Sequence, residues 1–159
     1  LGYYDPSKVD MVFGLEPAPD MVKRAKPLAD KAPFDVEFID LPGEEIPLDD
    51  NSVDTVLLTY TLCTIPDTLK AMQNMRRVLK PGGKLLFSEH GRAPDAAVEK
   101  WQNRLNGVWG KLFGGCNINR KIPTLIEEGG FKITDLDQMY VPSTPKIAGY
   151  TYWGAAEIR

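Results

Sequence analysis

Short apolar runs alternate with segments of helical spacing along most of this chain, and that alternation constrains the fold more than any other feature. Val9–Leu15, Phe34–Ile39, Val53–Tyr60 and Lys84–His90 have strand character. Pro17 and Pro19 open a helix that reaches about Asp30, with Pro27 placed to kink it or end it early. A second helix begins at about Asp67, carries Leu69, Met72, Met75 and Leu79 at helical spacing, and ends at Lys80-Pro81-Gly82-Gly83. Strands linked by helical crossovers are parallel, so the expected fold class is α/β with a mostly parallel sheet. Val53–Tyr60 is β-branched without clean alternation, the pattern of a strand covered on both faces.

The second half continues the pattern. Asp95 is placed to cap a long helix to about Phe113, whose apolar stripe is Val98, Trp101, Leu105, Val108, Trp109 and Leu112. The stripe is expected in the core. Arg120–Glu128 is another helix, stopped by Gly129-Gly130. Phe131–Val141 and Tyr150–Ile158 close the chain as an antiparallel edge hairpin.

At 159 residues the chain suits one domain spanning 1–159. Lys and Arg total 19 against 22 Asp and Glu, a net charge of -3, which argues against a general nucleic-acid binder. No segment approaches the 20 or so apolar residues of a membrane span. The opening Leu1-Gly-Tyr-Tyr-Asp-Pro6 has neither an initiator Met nor a basic leader, and a cytoplasmic location is expected. Cys63, Cys116 and a single histidine, His90, are far apart in sequence with no CxxC, which argues against a disulfide framework or a structural zinc site and leaves no metal expected. Residues 35–54 hold eight acids and no base, a solvated rim or a set of acceptors for a ligand's amino and hydroxyl groups.

In an open parallel sheet, ligands sit beyond the carboxyl ends of the strands. The residues there are Glu16, the 41–47 loop, Thr59 to Cys63, and Glu89 to Arg92. Glu16 ends an apolar strand just before a helix. It is equally suited to accept two ribose hydroxyls or to sit as a surface acid favoured by the helix dipole.

Four stretches in order resemble the class I S-adenosylmethionine (SAM) dependent methyltransferases: Val12–Pro17, Gly43–Leu48, Asn51–Val56, and Arg76-Arg77-Val78-Leu79-Lys80-Pro81-Gly82-Gly83-Lys84-Leu85. A narrower resemblance lies in Thr61-Leu62-Cys63-Thr64, Glu89-His90, Trp101-Gln102 and Gly114–Arg120. These are similar to the methyltransferase type 11 branch that includes thiol S-methyltransferases and phosphatidylethanolamine methyltransferase-like proteins. The resemblance implies a Rossmann-like sheet of order 3-2-1-4-5-7-6 and SAM as cofactor. It implies methyl transfer to a small-molecule acceptor, such as a thiol, amine, phenol or lipid-like group.

Carried over by position, the resemblance implies cofactor contacts from Glu16 and Pro17, from Gly43 and Glu44 beside the adenine, and from Thr59 and Tyr60 near the methionine moiety. Cys63 and Arg120 fall on the acceptor side, Arg120 as an anion holder or a solvated residue. His90 is a general base if the acceptor must lose a proton; otherwise it orients Glu89 or a loop carbonyl.

The chain departs from the family in two places. The first strand and its GxGxG loop are absent, so an N-terminally truncated domain is expected, one that binds SAM weakly or not at all. Pro42 stands where many members have Asp, leaving base recognition to Gly43 and Glu44. Without the first strand, Val9–Leu15 and Val53–Tyr60 are expected not to pair with each other. Their edges are then open to a homodimer partner or to a strand from elsewhere. The competing functions are an inactive remnant that serves as an interaction module and, less favoured, a nicotinamide-dependent oxidoreductase.

Overall fold

The computed structural model describes residues 1–159, which fall into two compact units, Leu1–Ile46 and Pro47–Arg159. The first is one strand–helix–strand turn. β1 (Met11–Leu15) and β2 (Asp35–Ile39) pair in parallel, Met11 opposite Asp35 and Leu15 opposite Ile39, with the Glu16 N–H continuing the ladder to the Ile39 carbonyl at 3.1 Å. The crossover helix α1 (Pro19–Ala29) starts on a proline, which gives up an N–H that no intrahelical carbonyl would accept. It runs through Pro27 rather than ending there. Pro27 lies in the last turn, and the Asp30 N–H still closes on the Lys26 carbonyl at 2.8 Å.

The second unit carries a four-stranded sheet in the order β3-β4-β6-β5. β3 (Val53–Thr59) and β4 (Leu79–His90) are parallel; β6 (Tyr150–Ile158) is antiparallel to β4 on one side and to β5 (Phe131–Tyr140) on the other. The closing pair is the expected antiparallel pair at one edge of the sheet, its second strand interior and its first at the edge. β1 pairs only with β2 and β3 only with β4, so no ladder joins the two, as expected.

α2 (Thr68–Val78) begins where the Asp67 carboxylate accepts the Lys70 N–H, and it buries Ala71, Met72, Met75 and Val78. It passes into β4 at Leu79, earlier than the Gly-Gly stop expected. The Asn51 and Ser52 N–H groups take up the carbonyls of Arg77 and Val78, so the helix end needs no glycine cap. Gly83 answers a different constraint: a Cβ there would lie 2.9 Å from the Asp54 carbonyl on the neighbouring strand. α4 (Ile122–Glu128) buries Ile122 and Ile126 and leads into the buried Phe131.

Two expectations about the core are overturned together. β3 is not covered on both faces: Leu58 is buried while Leu57 is 48% exposed, and Leu86 on β4 also faces out. α3 (Ala96–Leu112) buries only Gln102, and its stripe of Trp101, Leu105, Val108 and Leu112 is exposed. Helical periodicity marks an apolar face but not what covers it. Here the helix is anchored by one buried polar side chain, Gln102.

Candidate functional site

In the first unit, Glu16 follows β1 at the carboxyl end of the parallel pair. Its Oε1 accepts the Ala18 N–H at 3.0 Å, which orients the carboxylate at the mouth of α1. Pro17 is exposed beside it. Gly43 and Glu44 form a turn closed by the Glu45 N–H on the Pro42 carbonyl at 2.9 Å.

In the second unit, the carboxyl ends of β3 and β4 carry the remaining expected residues. Thr59 and Tyr60 are exposed. Tyr60 has a φ of 52°, a left-handed conformation that costs a non-glycine residue about 1–3 kcal/mol and that turns the chain off the strand. Its ring stacks on His90 with centroids 5.8 Å apart. The turn that follows buries Leu62, Cys63 and Ile65.

That turn is held from three directions. Glu89, fully buried on β4, accepts the Thr61 N–H through Oε1 at 2.7 Å, while its Oε2 has no hydrogen-bond partner. Burial pushes the Glu89 carboxyl up to about 7, against the opposing pull of its backbone donors and Arg120. Arg120 donates through one guanidinium nitrogen to the Leu62 carbonyl and to the Ile65 carbonyl, the latter at 2.7 Å. Asn117 donates to the Cys63 carbonyl from its backbone (2.8 Å) and its side chain (3.0 Å). Arg120 thus ties down a loop through two backbone carbonyls.

The α3–α4 loop packs against the end of β4. The Arg92 N–H bonds the Arg120 carbonyl at 2.9 Å, and Gly91 must lack a side chain because a Cβ would fall 2.5 Å from that same carbonyl. Gln102 fixes the arrangement from α3. Its Oε1 accepts the Ala93 N–H, and its amide nitrogen lies 2.9–3.0 Å from the carbonyls of Gly91, Ile118 and Ile147. The consequence is that Cys63, His90 and Cys116 converge, with the Sγ, ring nitrogen and Sγ atoms all within 4.8 Å of one another. His90 Nε2 lies 3.3 Å from Cys116 Sγ. Burial holds the imidazole below its ordinary pKa, so it is neutral at pH 7. Burial and the adjacent Cys116 push the Cys63 thiol up to about 12.

Sequence reasoning placed Cys63 and His90 near a site and missed what joins them. Glu89 and Gln102 were legible only as parts of short motifs. Cys116 stood among small residues whose geometry depends on Gly114 and Gly115, both at positive φ.

Residues 3–87 match the methyltransferase domain family, and the chain belongs to it. It is 33% identical over 157 residues to thiol S-methyltransferase TMT1B of Rattus norvegicus, covering 92% of this chain and 63% of that protein. It is 31% identical to thiol S-methyltransferase TMT1A of Homo sapiens, covering 86% and 59%. The chain therefore spans about 60% of the length of these relatives. The crystal structure of a SAM-dependent methyltransferase from Methanosarcina mazei superposes with a TM-score of 0.72 at 17% identity, covering 95% of this chain and 83% of that one. The [4+2]-cyclase SpnF superposes at 0.70 and 18% identity, covering 94% and 66%. These likenesses establish a Rossmann-like methyltransferase fold. Within each unit the observed order, β2-β1 in the first and β3-β4-β6-β5 in the second, agrees with the corresponding part of the family's order.

SAM is the cofactor this family implies, and the residues present fit its adenosine end. Glu16 offers an oriented carboxylate to hydroxyl donors where an α/β sheet binds nucleotides. No helix is long and apolar enough to cross a membrane.

Proposed function

We propose that this sequence forms the cofactor and acceptor walls of an enzyme that transfers a methyl group from SAM to a small-molecule thiol. The observation that carries the SAM assignment is Glu16, whose carboxylate is oriented by the Ala18 N–H to accept a ribose diol. The Gly43–Glu44 turn borders the adenine, and Thr59 and Tyr60 border the methionine moiety. The names of the relatives, thiol S-methyltransferases matched over most of this chain, favour a thiol over an amine or phenol.

SAM supplies an activated sulfonium methyl, so the protein contributes alignment and a dry acceptor side. Sulfur is intrinsically a strong nucleophile once ionised, so a thiol acceptor asks less of a general base than an amine or a phenol does. His90 is consistent with that economy, since its Nε2 faces Cys116 rather than open space. It lines the acceptor side and is not required to move a proton. In the first unit β1 pairs only with β2, and in the second β3 pairs only with β4, so each of these strands has one unpaired edge.

The test is methyl transfer measured on the protein that carries this sequence, with a small alkyl thiol, an amine and a phenol offered separately. The thiol alone is expected to be methylated. Methylation of the amine or phenol in its place contradicts the acceptor assignment.

A further inference from the structure

The geometry points to a binding site for one thiophilic divalent cation, of which Zn2+ is the type, held by Cys63 Sγ, His90 Nε2 and Cys116 Sγ. Three observations carry it. The first is convergence: the three ligand atoms come from the turn after β3, the end of β4 and the α3–α4 loop, and all lie within 4.8 Å of one another. Zinc bonds of about 2.3 Å to sulfur and about 2.0–2.1 Å to nitrogen place tetrahedral corners about 3.5–3.8 Å apart. The His90–Cys116 separation of 3.3 Å is already at that scale. The remaining pairs lie within 4.8 Å, so closing the site takes an adjustment of roughly 1 Å.

The second is preorganisation. Each ligand is flanked by backbone that side chains hold in place. Asn117 and Arg120 bind the carbonyls of Cys63, Leu62 and Ile65, the Gly91 N–H is bonded to the Tyr150 carbonyl at 2.9 Å, and Gln102 ties Gly91 to Ile118. Asn106 joins the same frame by donating to Asn117 Oδ1 at 2.9 Å and accepting the Ile118 N–H at 3.0 Å. Metal sites work when the residues around the ligands fix their direction.

The third is the chemistry of the donor set. Two sulfurs and one neutral imidazole are soft and borderline donors, matched to Zn2+ and not to Mg2+ or Ca2+. The His90 ring nitrogen faces the Cys116 sulfur at 3.3 Å, so its donor atom is directed into the cluster. Two cysteine sulfurs that converge on one point give a divalent cation two thiolate ligands. On binding, both thiol protons leave to solvent, the two thiolates balance the charge of Zn2+, and the three protein ligands leave the fourth corner to water or a small ligand. A role as buried small hydrophobes accounts for Cys63 alone, but not for a histidine nitrogen facing sulfur from two other segments.

The site shares Cys63 and His90 with the acceptor side of the methyl-transfer reading but rests on none of that reading, and its test involves no turnover. Reduced, chelator-treated protein is titrated with Co2+ under anaerobic conditions. The expected result is one equivalent bound, with tetrahedral visible bands and thiolate-to-cobalt charge transfer, displaced by Zn2+. Cys116→Ser, on a half-exposed loop, is expected to weaken binding at least tenfold with unchanged circular dichroism. Independently of any variant, Zn2+ is expected to protect Cys116 from iodoacetamide, read by mass spectrometry. Absence of the cobalt spectrum, an affinity unchanged in Cys116→Ser, or equal alkylation with and without Zn2+ each overturns the proposal.

Discussion

Glu89 Oε1 accepts the Thr61 N–H at 2.7 Å, so a buried carboxyl on β4 shapes the turn that follows β3. Its pKa, raised from 4.5 to about 7 by burial, makes that contact depend on pH. The folded state holds a proton on Glu89 that the unfolded state has lost between those values. Stability from this group is therefore complete below about pH 4.5 and is lost as pH rises through 7, by roughly 3 kcal/mol. Urea unfolding of chelator-treated protein at pH 5 and pH 8 is expected to show this loss. Glu89→Gln should flatten it, and an equal loss in the variant would remove Glu89 as its source.

Gln102 is expected to be the most sensitive polar position of the second unit. Gln102→Leu keeps the volume but leaves the Ala93 N–H without its acceptor and removes the two amide hydrogens shared among the Gly91, Ile118 and Ile147 carbonyls. At about 1–3 kcal/mol for each buried group left unpaired, the loss should reach at least about 3 kcal/mol. A denaturation midpoint within error of wild type would show that Gln102 does not hold these loops.

Glu16→Ala should weaken SAM binding at least tenfold, measured by calorimetry on the protein carrying this sequence. A charge-assisted bond is worth roughly 1.5–3 kcal/mol, and a single one already exceeds that factor. Glu16→Gln, which keeps the size, should recover only part of the affinity. Unchanged affinity in Glu16→Ala would withdraw the ribose assignment.

His90→Gln should leave SAM affinity within a few-fold, because the ring belongs to the acceptor side of the proposed site. A loss of tenfold or more would place His90 against the cofactor instead.

Much of the architecture was legible because strand and helix periods are written in neighbouring residues. The runs Phe34–Ile39 and Val53–Tyr60 and the Asp67 cap emerge within a residue or so of where they were expected. Burial was less legible. The stripe on α3 has the period of a core helix, yet Trp101 and Leu112 are 55% and 72% exposed. The amphipathic pattern fixes a face, and long-range packing decides what meets it. The Cys63–His90–Cys116 cluster was hidden for a related reason. Its members lie on three segments, and the contacts that join them run through Gln102, Asn117 and Arg120, whose partners are mainly backbone carbonyls that no side-chain motif records.

The most direct test of the central claim is transfer of an isotopically labelled methyl group from SAM to a small alkyl thiol. It is measured by mass spectrometry on the protein carrying this sequence, with Glu16→Ala alongside. The labelled thioether is expected from wild type, with at least a tenfold drop in Glu16→Ala at SAM concentrations below saturation. No thioether from a folded wild-type protein that binds SAM, or equal yields from both proteins, would contradict the account.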